Sequence, residues 1–269
     1  MKLNTRLFGE NYTFGSIQEV LAKANEPKNG DVLAGIAARD AKERVAAKIV
    51  LSGLTIKDVT ENPAMPYEQD EVTRICWDDL DKEVYCRFSG MSIGELREYI
   101  LSDTCGEQEL PTLGRGLMPE CVAAVAKLMS NMDLIYGASR IRVTATCCTT
   151  IGGTGVLASR LQPNHPFDDP DGITASILEG LSYGVGDAVI GLNPVDDRTE
   201  SVSAVLARLD EIKRKFAIPT QICVLAHVTT QMDAMRKGAP TDLIFQSVAG
   251  SQKGNDSFGI SAAMLEEAR

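Results

Sequence analysis

The first part of the chain has the spacing of amphipathic helices. Two Ser-x-x-Glu capping boxes, at Ser16 and Ser92, each precede apolar residues three and four positions apart, which predicts a helix after each serine. The same spacing predicts one long helix over residues 31–51 and another over 119–131. Proline and glycine residues within 110–116 predict a boundary loop.

A different rhythm begins near residue 155, where short apolar runs alternate with amphipathic stretches. Strands are predicted over residues 156–160, 187–192, 220–226 and 243–248, and helices over 173–183, 200–216, 229–237 and from 259. The predicted strands are apolar without a polar alternation, as expected for a sheet covered on both faces. The order of elements is therefore typical of a βα repeat with a parallel sheet.

Two architectures accept this repeat, an open doubly wound sheet and a (β/α)8 barrel. Polar residues lie at the end of every predicted strand, and this favours the barrel because all strand ends of a barrel face one site. In chain order these residues are Arg160 with Gln162, Asn193, His227, and Gln246 with Ser247. About 115 residues follow the start of the first strand, whereas a complete barrel takes about 250. The predicted α/β fold is a helical amino-terminal region, residues 1–118, followed by the first half of a TIM-type barrel, about four βα units, over 119–269.

Charge and composition narrow the choice of partners. Hydrophobic residues make up 44% and charged residues 24% of the chain, an ordinary globular composition. The net charge is −10 and charges of both signs are interspersed, which argues against nucleic acid as a partner because that requires a basic surface. No apolar run approaches the roughly 18 residues of a membrane-spanning helix, so we expect no membrane partner.

Cysteine usage indicates a reducing compartment. The seven cysteines are an odd number, and we expect no secretory leader because the first residues contain no apolar h-region. We therefore expect reduced thiols and a cytoplasmic protein.

Three further motifs favour structural roles. Cys147 and Cys148 are adjacent but have no partner cysteines at zinc spacing, and no metal site is predicted. His227 lies where a strand meets a helix, but the only other histidine is His165, so a structural role is favoured over a general base or metal ligand. The glycines of residues 152–155 lack a P-loop pattern and predict a tight turn.

The strand ends carry the candidate binding residues. Side chains alternate along a strand, so Arg160 and Gln162 face the same way and offer a cation and an amide to a small polar molecule. The alternative is an arginine in a salt bridge beside a solvated glutamine. Asn193 offers a donor and an acceptor, and Pro194 stiffens its turn; alternatively, Asn-Pro only initiates that turn.

In these strand-end residues and the segments around them, the chain resembles the large, catalytic subunit of ethanolamine ammonia-lyase. The resemblance extends over nearly the whole chain. Its most specific segments are DVLAG (31–35), SIGELREY (92–99), DLIYGA (133–138), ASRLQPN (158–164), GVGDAVIG (184–191) and CVLAHVTTQ (223–231).

The resemblance implies a reaction and a cofactor. Ethanolamine is converted to acetaldehyde and ammonia by a radical mechanism that depends on adenosylcobalamin. An Asp-x-His-x-x-Gly motif, which ligates cobalt through histidine in other proteins, is absent, and this is compatible with a family that keeps the lower base of its cofactor.

The resemblance also implies roles for individual residues. Arg160, assigned as catalytic, and Asn193 would bind the substrate hydroxyl, and Gln162 would lie near the migrating amine. Pro194 and Gln246 match positions that contact the cobalamin, with Ser247 beside them. Carboxylates for the substrate ammonium would come from barrel strands beyond residue 269, so we expect this portion to be inactive alone.

The implied partners are the ethanolamine ammonia-lyase small subunit, further large subunits in a homo-oligomer, and ethanolamine itself, in a bacterial microcompartment of the cytoplasm. Two alternatives remain at this point. One is a non-catalytic truncated subunit that serves only in assembly. The other is an unrelated barrel enzyme acting on another small polar molecule.

Overall fold

A computed structural model describes residues 2–269 as a helix-rich mixture of α and β structure with small sheets. The chain forms two compact units, one ending at Arg142 and one comprising Val143–Arg269. Each unit has its own hydrophobic core.

The first unit contains a hairpin followed by helices. Its elements are β1 Asn4–Leu7, β2 Glu10–Thr13, α1 Ile17–Lys23, α2 Asn29–Leu33, α3 Ala41–Ser52, α4 Ile56–Thr60, α5 Glu71–Asp78, α6 Lys82–Phe88, α7 Ile93–Leu101, α8 Glu109–Arg115, α9 Pro119–Leu128 and α10 Asn131–Ala138. β1 and β2 pair antiparallel.

The second unit carries the βα repeat. Its elements are β3 Ala145–Thr146, β4 Thr150–Ile151, β5 Arg160–Leu161, α11 Pro170–Ser182, β6 Val189–Leu192, α12 Thr199–Lys215, β7 Ile222–Val224, α13 Val228–Arg236, α14 Gln252–Ser257 and α15 Ala262–Ala268.

The two predicted capping serines begin helices, by slightly different means. At Ser92 the box is complete, because the Ser92 hydroxyl accepts from the Glu95 amide and the Glu95 carboxylate accepts from the Ser92 amide. At Ser16 the hydroxyl accepts from the Glu19 amide, but the Glu19 carboxylate binds the amide of Gly15 instead. Both helices start where the sequence predicted.

The single long helix predicted over 31–51 is wrong, since the chain breaks it into α2 and α3. Gly35 adopts a φ of 71°, which ends the first segment, and Asp40 caps the second by accepting from the Glu43 amide. The apolar residues of the first segment are largely exposed, with Leu33 at 88%. Because these apolar residues are not buried, packing does not stabilise one continuous helix across the two segments.

The boundary loop predicted over 110–116 is also wrong, because this stretch forms α8. Leu110 and Leu113 are buried in the core of the first unit, and Pro111 lies in the first turn, where its missing N–H costs no helical hydrogen bond. Packing of the two leucines outweighs the local breaker signal.

Helix α9 packs in the first unit through Cys121, Ala124 and Val125. The compact unit therefore extends past residue 118 and ends at Arg142. The division of the chain into a helical region, 1–118, and a partial barrel, 119–269, stays a prediction.

The second unit is built on three parallel strands in the order β5-β6-β7. Arg160 pairs with Val189 between β5 and β6, and Gly191 pairs with Cys223 between β6 and β7. The parallel βα repeat predicted from the sequence is thus present, although no closed barrel forms within residues 2–269. The first predicted strand is shorter than expected: Leu157 is 98% exposed and regular pairing begins at Arg160.

The fourth predicted strand, 243–248, is not a regular strand, but its first half lies beside β7. The Leu243 amide donates to the Ile222 carbonyl at 3.3 Å. The buried Gln231 side chain of α13 donates to the Phe245 carbonyl at 2.9 Å and accepts from its amide at 3.2 Å. Side-chain bonds thus replace part of the backbone ladder, and a strand assignment here is wrong for that reason.

A first prediction concerns the buried thiol of Cys121. Burial raises its pKa to about 11, although the Thr60 hydroxyl, 3.3 Å away, opposes that rise. We expect alkylation by iodoacetamide at pH 8 to be roughly a hundredfold slower than for an ordinary thiol, because the thiolate is the reactive form. Exposed Cys86 provides the internal comparison in peptide mass spectrometry, and equal labelling of the two cysteines would contradict the packing.

A second prediction concerns Asp242, which anchors segment 243–248 to β7. Its carboxylate accepts from Lys213 Nζ at 2.6 Å and from the Ile222 amide at 2.8 Å. Burial opposes its ionisation, but the Lys213 ammonium and the Ile222 amide outweigh that effect and hold the pKa of Asp242 below its ordinary value. A lowered folded-state pKa stabilises the fold above the ordinary carboxylate pKa, about 4, and this contribution is lost as the pH falls further.

We therefore expect Asp242→Asn to lower the free energy of unfolding at pH 7 and to flatten its decline between about pH 5 and pH 3. Urea unfolding across this range measures both effects. Exposed Glu266→Gln is the control. An Asp242→Asn variant with the pH dependence of the wild type would show that this anchor contributes nothing.

Candidate active site

The three parallel strands of the second unit present two chemically different faces. One face packs against the helices and consists of Leu161, Ile190, Leu192, Ile222 and Val224. Because side chains alternate along a strand, the opposite face, here called the site face, consists of Arg160, Val189, Gly191 and Cys223, with Gln162 and Asn193 one residue beyond β5 and β6. The three predicted substrate-binding residues therefore share one face.

Arg160 lies across the site face towards segment 243–248. Its Nη2 donates to the Gly191 carbonyl at 3.4 Å, and its guanidinium carbon lies 4.7 Å from the centre of the Phe245 ring. This cation–π contact orients the charge by a weak interaction and leaves donors for a ligand. Burial raises the pKa of the neighbouring Cys223 thiol, and the Arg160 charge partly opposes that rise.

Gln162 and Asn193 are both exposed, and within residues 2–269 neither side-chain amide makes a hydrogen bond. Each amide therefore keeps its donor and acceptor for a ligand. Arg160 contacts the carbonyl of Gly191, two residues before Asn193, but no hydrogen bond joins Arg160, Gln162 and Asn193 to one another within these residues.

Of the predicted cofactor residues, Pro194 lies in the loop after β6, and Gln246 and Ser247 lie in segment 243–248 beside β7. The Gln246 side chain accepts from the Val228 amide at 2.8 Å and donates to the Ser247 carbonyl at 2.9 Å, so its amide mainly holds the fold. Ser247 is exposed and Pro194 is half-buried. Beside them, Val195 and Val248 expose 66% and 60% of their surfaces. Polar groups and apolar surface thus alternate along residues 194–195 and 246–248, which are here called the rim.

His227 has the structural role that its position predicted. Its side chain caps α13 at the Thr229 amide, and its Nε2 lies 3.0 Å from the Phe258 carbonyl. A carbonyl only accepts, so Nε2 carries the proton and Nδ1 is the acceptor. Both ring nitrogens are therefore engaged. Within residues 2–269, no group of three His, Cys, Asp or Glu side chains is arranged to hold a metal ion.

The hairpin β3–β4 closes the opposite, amino-terminal end of the strands. The Thr149 amide donates at 3.1 Å to the side chain of buried Gln221, which begins the β7 region. The turn predicted at residues 152–155 is present: Gly152 has a φ of 93°, and a Cβ there would lie 2.2 Å from the Val143 carbonyl. Gln162 and Asn193 lie at the opposite, carboxyl end, and the Arg160 side chain reaches towards that end through its bond to the Gly191 carbonyl.

Cys147 and Cys148 help to anchor this hairpin, in agreement with their predicted structural role. Cys147 Sγ lies 3.4 Å from the Asp242 carbonyl, and Cys148 Sγ accepts from Lys213 Nζ at 3.3 Å. The same Lys213 Nζ donates to the Asp242 carboxylate at 2.6 Å, so Cys148 is linked to Asp242 through Lys213.

Three residues of the site region escaped the sequence prediction. Phe245 was assigned only to a strand, whereas its ring lies against Arg160. Asn164 Oδ1 accepts from the Asn193 amide, and Asp168 accepts from the two amides that follow Pro194. Asn and Asp in a proline-flanked loop are a known signal for side-chain to backbone bonds, but that signal does not name the partner.

Comparison with known proteins assigns the family. The family model described as "Ethanolamine ammonia lyase large subunit (EutB)" matches residues 12–269. The chain belongs to this family.

Individual relatives agree. The ethanolamine ammonia-lyase large subunit of Escherichia coli (strain K12) is 55% identical over all 269 residues, and that of Salmonella typhimurium (strain LT2) is 54% identical over the same length. The chain spans 59% of the length of each of these relatives. The family resemblance seen in the sequence is confirmed. Among residues 2–269, no helix is both long and apolar enough to cross a membrane.

A third prediction tests the close packing beneath Arg160. A Cβ added at Gly191 would lie 2.5 Å from Cys223 Sγ and 2.9 Å from the Cys223 carbonyl oxygen. We expect Gly191→Ala to lower the free energy of unfolding by about 1–3 kcal/mol, the usual cost of overpacking. Cys223→Ala in the same chain removes the sulfur but not the carbonyl, so it restores only part of the loss.

Gly153→Ala is the matched control for urea unfolding, because its added Cβ would meet Val156 at an ordinary 3.8 Å. Equal stability of the Gly191→Ala and Gly153→Ala variants would mean that the β6–β7 contact is looser than the structure shows.

Proposed function

We propose that the chain forms the amino-terminal part of an adenosylcobalamin-dependent ethanolamine ammonia-lyase, which converts ethanolamine to acetaldehyde and ammonia. The observation that carries this proposal is the common face of Arg160, Gln162 and Asn193 on the parallel strands β5 and β6. Family membership supports the reaction, and the site face supports the residue roles.

The charge of Arg160 gives the proposed site a direction. Ethanolamine has a hydroxyl at one end and an ammonium at the other, and a guanidinium attracts the first and repels the second. Arg160 and Asn193 are therefore assigned to the substrate hydroxyl. The hydroxyl oxygen accepts a hydrogen bond from Arg160, and the Asn193 side chain can either donate to the hydroxyl or accept from it. Gln162 is assigned to the amine, and its carbonyl oxygen suits that donor.

The ammonium needs more than an amide, because a cation leaving water requires a compensating negative charge. We assign that charge to carboxylates on further strands of the complete protein. In this proposal, the three parallel strands and segment 243–248 form half of a (β/α)8 barrel whose remaining strands complete the pocket.

The residues of the rim fit a cobalamin. The exposed Ser247 hydroxyl suits the amide groups around a corrin ring, and exposed Val195 and Val248, with Pro194, suit its apolar surface. Gln246 supports this rim by holding the Val228 amide and the Ser247 carbonyl. When bound, adenosylcobalamin supplies the radical chemistry. The chain's own part is to orient the substrate and exclude water.

We further propose the partners that belong to this activity. These are a small subunit, further large subunits in a homo-oligomer, and a bacterial microcompartment as the location in the cell. The relatives are large subunits by name, which supports a small-subunit partner.

A fourth prediction tests the residue roles. In the complete large subunit assembled with its small subunit, Arg160→Ala should lower kcat/KM for ethanolamine roughly ten- to hundredfold, since a hydrogen bond involving a charged group is worth about 1.5–3 kcal/mol. Asn193→Ala should lower it roughly two- to tenfold, since a bond between neutral groups is worth about 0.5–1.5 kcal/mol. Acetaldehyde formation in the presence of adenosylcobalamin is the measurement.

Arg214→Ala, which removes an exposed arginine from α12, is the control. Wild-type kinetics in both site variants would remove these residues from the site. An assembled wild-type protein without ethanolamine turnover would refute the proposed reaction itself.

A further inference from the structure

The loop that follows β5, residues 162–169, holds the backbone of the loop that follows β6. Residue 194 is a proline, so residues 193–196 have three N–H groups, and all three are bound by this neighbouring loop. The bonds run from Asn193 N to Asn164 Oδ1 (2.9 Å), from Val195 N to Asp168 Oδ2 (2.8 Å) and from Asp196 N to Asp168 Oδ2 (2.9 Å).

The holding loop is itself braced. His165 Nδ1 accepts from the amides of Phe167 and Asp169, at 3.3 and 3.2 Å, and the Asn164 amide donates to the Gln162 carbonyl at 2.9 Å. A loop with this many internal bonds offers Asn164 and its neighbours as fixed acceptors rather than as mobile ones.

Asp168 maintains its bonds at an energetic cost. Its φ is 50°, a left-handed conformation that is uncommon for residues other than glycine. Its second oxygen, Oδ1, is buried and has no hydrogen-bond partner within residues 2–269. Strain and an unpartnered buried oxygen persist where the surroundings require them, which is frequently at functional sites.

The Asn193 side chain makes no hydrogen bond within residues 2–269, so the backbone alone sets its position. We propose that Asn164 and Asp168 are positioning residues that hold Asn193 and Pro194 in the geometry required for ligand binding. The identity of the ligand in this inference rests on the proposed function. The hydrogen bonds that hold the backbone of residues 193–196 are independent of that function.

Two kinds of variant at Asp168 separate its carboxylate from its backbone strain. Asp168→Gly removes the acceptor and suits the φ of 50°. Asp168→Asn keeps an acceptor and also tolerates a left-handed conformation. Asn164→Ala and Asn164→Asp form the corresponding pair for the Asn193 amide.

The first measurement is amide hydrogen exchange of residues 193–196 in the complete, assembled protein. We expect Asp168→Gly to speed amide exchange at Val195 and Asp196 roughly fivefold or more, because each amide loses about one hydrogen bond. Asp168→Asn should restore the slow exchange of the wild type. Asp171→Ala, which removes an exposed carboxylate from the first turn of α11, is the matched control. Unchanged exchange in Asp168→Gly and Asn164→Ala would overturn the inference.

The second measurement is a double-mutant cycle with Asn193→Ala. If Asn164 and Asp168 act through Asn193, Asn164→Ala and Asp168→Gly raise KM for ethanolamine roughly five- to tenfold in the wild-type background and hardly at all in the Asn193→Ala background. Additive effects in the two backgrounds would overturn the positioning role, because a general loss of stability does not depend on Asn193.

Failure of the proposed function has a different signature. The wild-type protein would then form no acetaldehyde from ethanolamine, while the exchange rates at residues 193–196 would still decide whether Asn164 and Asp168 hold this turn.

Discussion

Parallel pairing of β6 with both β5 and β7 is the constraint on which the second unit depends. The register sets Arg160 against Val189 and Gly191 against Cys223. With side chains alternating, this register sends Leu161, Ile190 and Val224 into the helix-covered core and leaves the polar set on the site face. A slip of one residue would exchange the two sets, burying an arginine and exposing the core. The burial of the apolar face thus holds the site residues in place.

Gly191 contributes no side chain at the centre of the site face, where Cys223 packs closely against it. Arg160 reaches across this face to the Gly191 carbonyl and to the ring of Phe245 on the neighbouring segment. Its charge makes one end of the proposed pocket positive, so that the two ends of ethanolamine are not equivalent there. In the proposed function, this one cation sets the orientation of ethanolamine, and groups on other strands compensate the charge of its ammonium.

Each loop at the strand ends is hydrogen-bonded to the loop that follows the next strand. Asn164 and Asp168 hold the turn after β6, Asp197 in that turn accepts from the His227 amide, and Gln246 accepts from the Val228 amide. Side chains from one loop thus satisfy the backbone donors of the next. Ligand residues placed on such mutually bonded loops are held more precisely than residues on isolated loops. Local changes at one strand end are therefore felt at its neighbours.

The sequence by itself determined the helix starts at Ser16 and Ser92, the βα order after residue 155, the common face of Arg160 and Gln162, and the family. These features depend on caps, periodicity and alternation within a few residues. Only the tertiary structure decided that residues 31–51 break at Gly35, that residues 109–115 are helical, and that Phe245 contacts Arg160 while Asn164 and Asp168 bind the backbone of residues 193–196. Those outcomes depend on which distant groups are buried together, and local propensity does not specify the partner of a side chain across a sheet or between loops.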